Sequence, residues 1–102
     1  MSHVDNSLEV QRAEDMNLYI NQMDAMCEQT GTTWSQRMEK LAEGLQSAAS
    51  LLEEGSELLH QERIDKLSEI ARKLKDAEET GEGLHLQKVA AAEVVIKIRK
   101  GE

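Results

Sequence analysis

Residues 34–77 read WSQRMEKLAEGLQSAASLLEEGSELLHQERIDKLSEIARKLKDA. Within them Trp34, Met38, Leu41, Leu45, Ala48, Leu52, Gly55, Leu59, Arg63, Leu67, Ile70, Leu74 and Ala77 follow one another in steps of 4-3-4-3-4-3-4-4-4-3-4-3. This is the a/d rhythm of a coiled coil, with one additional four-residue step near Arg63. Residues three and four apart share a helix face, so these positions form one mostly apolar seam that other helices must cover. A seam of this kind describes how the chain buries itself and offers a face to a partner, but it names no reaction.

The chain contains no proline, and glycine provides the punctuation at Gly31, Gly81, Gly83 and Gly101. Three helical segments result, at about 5–29, 33–79 and 84–100. Asp5 or Ser7 is suited to cap the first, whose stripe is Met16, Tyr19 or Ile20, Met23, and Met26 or Cys27. Thr30-Gly31-Thr32 makes the turn, and Thr33-Trp34-Ser35-Gln36 has the form of a capping box that starts the second segment. Glu62 with Lys66 and Glu69 with Lys73 are i,i+4 pairs in the favourable order. The second segment is one long helix if the seam runs on unbroken, or a helical hairpin if Glu54-Gly55-Ser56 acts as a C-cap glycine followed by an N-cap serine. In the third segment Leu84, Lys88, Ala91, Val95 and Ile98 fit a helical stripe, and Lys97, Arg99 and Lys100 suit the negative end of a helix dipole. Val94, Ile96 and Ile98 alternating with Val95, Lys97 and Arg99 also fit a strand; the helix is the preferred reading.

The length of 102 residues corresponds to one domain. A chain of this size buries only about 60–65% of its unfolded surface, and oligomerisation is a common supplement. Phenylalanine is absent and the only aromatics are Tyr19 and Trp34, so Leu, Ile, Val, Ala and five methionines must fill the core. The formal net charge of −8 disfavours nucleic acid and anionic membrane and favours a basic protein partner. Cys27, the single cysteine, rules out an intrachain disulfide and fits a reducing, cytoplasmic setting. Residues 1–11 show no apolar leader pattern, and the longest apolar stretch, 89–95, is interrupted by Glu93 and is too short to span a bilayer.

Candidate chemistry is sparse. Glu57-x-x-His60 and Glu82-x-x-His85 have the spacing of carboxylate-bridged metal bundles. The second copy lies in a glycine-broken turn, and the first segment presents no acid on its apolar stripe, so no metal or cofactor is expected. Glu53-Glu54-Gly-Ser-Glu57 followed by Glu62-x-x-Asp65 resembles the carboxylate motifs of MazG-like all-α nucleotide pyrophosphatases. That resemblance implies magnesium held between acids of two separate helices. Here the two motifs lie four residues apart, which leaves no room for that arrangement. No phosphate-binding loop, cysteine cluster or nucleophile constellation is present, and Cys27 has no basic neighbour in sequence to activate it.

The expectation is therefore an all-α domain of three to four antiparallel helices, a hairpin or bundle built on a long coiled-coil-like central helix. It is expected to be non-enzymatic, to form a homodimer, and to bind a protein partner through apolar helix faces as an adaptor, a small chaperone-like subunit or a regulator. The binding or oligomer residues are Trp34, Met38, Leu41, Leu45, Leu52 and Leu59 on the seam and Val94, Val95, Ile96 and Ile98 in the last segment. The alternative is an acidic inhibitor occupying a basic or nucleic-acid-binding groove of a target, as some phage-encoded proteins do, with Glu53, Glu54, Glu57, Glu62 and Asp65 as its acidic face.

Overall fold

The computed structural model describes residues 3–101, with side chains from residue 8 onward. Four helices make up the described chain: α1 (His3–Thr30), α2 (Trp34–Ala49), α3 (Glu54–Thr80) and α4 (Leu84–Arg99). The described residues contain no strand. The expected capping by Asp5 or Ser7 concerns side chains outside those described. The radius of gyration is 15.1 Å, above the roughly 13 Å of a spherical domain of this length. Two helices of 27 and 28 residues, each about 40 Å long, account for the elongation.

The middle segment is two helices rather than one. The seam keeps phase through residues 50–53, but the backbone does not. Ser50 Oγ donates to the Ser47 carbonyl at 2.9 Å, and the amides of Leu51 and Leu52 donate to the carbonyls of Ala48 and Ala49 at 3.1 Å. These i→i−3 bonds tighten and end α2. The break thus precedes Gly55. Gly55 lies in the first turn of α3 and is not among the glycines of positive φ, so it is not the C-cap residue. With Glu53 at the N-cap, Glu54 and Glu57 supply first-turn carboxylates that suit the positive end of the helix dipole.

The other boundaries follow the sequence. Gly31 (φ 67°) closes α1, and the Thr32 amide reaches back to the Cys27 carbonyl at 3.1 Å, a Schellman-type end. Thr33 caps α2 with both halves of the capping box, its hydroxyl accepting from the Gln36 amide and its own amide donating to Gln36 Oε1. Gly81 (φ 75°) ends α3. Residues 84–99 are helical despite their β-branched run. Burial of Ala91, Ala92 and Val95 and the Glu93–Lys97 pair at 3.2 Å favour the helix there over intrinsic strand preference.

α2 lies along α3, α4 lies along α3 and α1 lies mainly along α4. Met38, Leu67, Leu74 and Val95 are the largest side chains fully removed from solvent. Tyr19, Ile20, Met23 and Cys27 are the face that α1 contributes, with Met16 half-buried and Met26 exposed. One and two turns before Met16 this face holds Arg12 and Glu9, so the stripe stops and Leu8 and Val10 remain more than half exposed. No described helix is long and apolar enough to cross a membrane.

Candidate protein-docking site

The seam is covered at both ends and open in its middle. Trp34 and Met38 are buried at one end, and Leu67, Ile70, Leu74 and Ala77 at the other. Between them Leu41 and Leu52 are each 36% exposed, Leu59 is 49% exposed and Leu45 is half-buried. The turn at 50–53 explains the pattern. It folds the seam on itself, brings the start of α2 to the end of α3 and leaves the middle of the seam at the turn end of the pair.

The buried end is fixed by polar contacts. The Ser35 amide and hydroxyl donate to the two oxygens of Glu78 at 3.0 and 2.8 Å, tying the start of α2 to the end of α3. The Trp34 indole N–H donates to Asp24 Oδ1 of α1 at 2.7 Å, and Lys88 of α4 pairs with the same oxygen at 2.8 Å. The Lys88 ammonium lies 5.6 Å from the centre of the Trp34 ring, and Tyr19 meets that ring edge-on at 6.1 Å. Three helices therefore converge on one indole. Partial burial pushes the Asp24 carboxyl up. The hydrogen bonds from Lys88 and Trp34, with the charges of Lys88 and His85, outweigh that and hold it below the usual aspartate range. Burial pushes the Tyr19 phenol up against the pull of Arg99 and Arg37, and it pushes the Cys27 thiol up against a hydrogen bond from Thr32.

The open end is different in character. Leu41 and Leu45 share the side of α2 that carries Trp34, and Trp34 faces α1 and α4. Leu59 stands three turns before Ile70 on α3, on the face that Ile70 turns toward Val94 of α4. Leu59 lies past the reach of the last turns of α4, whereas Leu41 and Leu45 stand level with the stretch of α3 around Lys66 and Ile70 that those turns meet. Leu51 and Leu58, 87% and 69% exposed, flank the turn. Glu53, Glu54, Glu62 and Asp65 of the same stretch are exposed and Glu57 is half-exposed. Isolated exposed leucines are ordinary, but several around one turn mark a candidate interaction surface.

The residues singled out from sequence thus divide. Leu52 and Leu59 lie at the turn end of the α2–α3 pair, and Leu45 and Leu41 stand progressively further along α2 toward its start. Trp34 and Met38 are core residues held by α1, α3 and α4, and Val95 is buried. Val94 packs toward α3, and Ile96 toward Met16 of α1. Ile98 is a partly buried margin of the core. The last segment is therefore committed to the fold. Among the described residues no three His, Cys, Asp or Glu side chains gather as metal ligands. His60 Nδ1 instead lies 3.1 Å from the Ser56 carbonyl.

Sequence reasoning missed the Asp24–Trp34–Lys88 contact and the Ser35–Glu78 contact. A buried indole N–H requires an acceptor, and that requirement was the available signal for the first. The second joins residues 43 apart and leaves no local trace.

No protein-family model matches the chain, and searches among curated proteins and solved structures return no match.

Proposed function

We propose that this chain is a non-enzymatic protein-binding module whose docking face is the open end of the α2–α3 pair. The observation that carries the reading is the uneven covering of one seam: Leu67 and Leu74 are at 0% exposure, whereas Leu59, on the same heptad-like stripe, is at 49%. An apolar face built to be covered and left open is the usual form of a helix-docking surface. The surrounding carboxylates contribute to encounter rate and choice of partner more than to affinity. The lone buried thiol suits a reducing, cytoplasmic setting.

A photo-crosslinking residue at position 59, with one at exposed Gln22 as control, tests the reading in cells. A discrete adduct at 59 alone, to another protein or to a second copy, supports it. Equal labelling at both positions, or none at 59, removes it.

The second reading, an acidic inhibitor, is favoured by the run Glu53, Glu54, Glu57, Glu62 and Asp65, where Arg63 is the only interspersed cation. Under that reading, charge reversal on these acids abolishes binding and Leu59→Ser leaves it intact.

A further inference from the structure

We propose that a second copy of this chain docks the outer face of its first α3 turns into a basic cleft between α1 and α4; this rests on the protein-binding reading above and assigns the partner. The cleft has a volume of about 280 Å³. Met16 and Ile96, partly buried against the core, form its floor, and Arg12, Lys97 and Lys100, all exposed, form its rim. Its two acids are already engaged: Glu93 pairs with Lys97 at 3.2 Å, and Asp15 accepts from Gln11 Nε2 at 3.0 Å. Arg12 and Lys100 have no carboxylate partner among the described residues. Two further grooves share residues with this cleft, one reaching Lys66 and Lys73 of α3 and one reaching Arg99. Together the three carry six of the chain's twelve cations and only three of its twenty acids. The dipole of α4 accounts for Lys97, Arg99 and Lys100 at its end, but not for Arg12 and Lys66 on other helices.

The cleft dictates the chemistry of its occupant. Its volume is near the lower limit of ligand pockets, roughly 300 Å³, so it takes a large apolar side chain rather than a whole helix. Its rim takes carboxylates beside that side chain. The chain carries this arrangement itself. Glu54, Leu58 and Glu62 follow at four-residue spacing on α3 and share one face, which Asp65 continues three residues later. All four are exposed, Leu58 at 69%. Around α3 that face is opposite the one that buries Leu67 and Leu74, so it is turned away from its own α1 and α4 and is open to another copy. An extended polyanion or an anionic bilayer would overrun the patch and meet the chain's other acids, whereas a few carboxylates around one leucine match it. Charges are screened over about 8 Å at physiological salt, so these contacts, rather than the net charge of −8, govern the approach at close range. Because cleft and leucine face are different surfaces, the contact is heterologous, and each copy offers its free surface onward unless two copies satisfy both at once.

Charge exchange tests this. Arg12→Glu/Lys100→Glu reverses the rim, and Glu54→Lys/Glu62→Lys reverses the leucine face. All four positions are exposed, so both double variants should keep the helical circular dichroism of the parent. Mass is followed by light scattering across a dilution series, at low and moderate salt, for the parent, each variant and their equimolar mixture. The parent's mass is expected to rise with concentration, and salt should weaken the association. Either double variant alone should associate at least about tenfold more weakly, and Leu58→Ser, which alters no charge, should weaken association as well. The mixture should associate again, because reversed rim meets reversed face and native rim meets native face. A parent that stays monomeric up to about 1 mM overturns the assignment and leaves the docking reading to the adduct at position 59. An association that both variants retain, or that the mixture fails to recover, overturns it too, because the copies then meet through other surfaces.

Discussion

Ser35 at the start of α2 is held twice by Glu78 near the end of α3, its amide donating at 3.0 Å and its hydroxyl at 2.8 Å. The carboxylate caps an orphan amide at the positive end of a helix dipole from 43 residues away, so one side chain both satisfies α2 and fixes its register on α3. Glu78→Ala is expected to cost about 1–2 kcal/mol in urea denaturation, as for loss of an N-cap combined with an unpaired polar group. Glu78→Gln, which keeps an acceptor oxygen, is expected to cost less.

Asp24 serves α1 in the same way. Asp24→Ala removes the acceptor of the Trp34 indole and the partner of Lys88, and is expected to destabilise the fold by about 1–2 kcal/mol. Asp24→Asn still accepts from the indole. Because the Asp24 side chain is 45% exposed, solvent screening limits its loss to about 1 kcal/mol or less. Trp34 is the sole tryptophan, so its emission reports this site directly, and a red shift is expected in Asp24→Ala.

The pH dependence has a definite sign. The folded-state pKa of Asp24 lies below its ordinary value, so its contribution is present at neutral pH. That contribution is lost as pH falls from about 4 through the folded-state pKa. An acid titration of Trp34 fluorescence should show a transition below about pH 4 that is reduced in Asp24→Asn. A transition of the same size in both proteins would show that other carboxylates dominate.

Leucine truncation should separate the covered seam from the open one. Leu74→Ala, at 0% exposure, is expected to lose about 2–5 kcal/mol. Leu51→Ala, at 87% exposure, is expected to stay within about 0.5 kcal/mol of the parent protein. Thermal or urea midpoints of the two variants measure the contrast.

Cys27 is buried and its thiol is pushed up by that burial. Less thiolate and less access mean slow alkylation. Iodoacetamide at pH 8 should modify the folded protein at least about tenfold more slowly than the protein in urea. Equal rates would show that the end of α1 opens readily.

Much of the fold was legible because it is set by local chemistry. The capping box at Thr33–Gln36, the left-handed glycines at 31 and 81 and the buried stripe of α1 are each fixed within a few residues. The interruption at 50–53 was not legible. Phase along a seam is compatible with both a continuous helix and a folded-back pair, and Gly55 is the more conspicuous breaker in sequence. Serine hydroxyls bonding back to backbone carbonyls and the gain from burying Ile64 beside Ala42 of α2 decide the point. The candidate site was legible in the same partial way. Periodicity picked out Leu41, Leu45, Leu52 and Leu59, and it picked out Trp34 and Met38 with equal force.

The sequence by itself determined an all-helical chain, its acidity and the single apolar seam, because helix periodicity, capping and charge are properties of near neighbours. Only the tertiary structure decided which part of that seam is core and which part is surface. Burial depends on the lengths of the helices laid against it: α4 has 16 residues against the 27 of α3, and Leu59, beyond its reach, remains open.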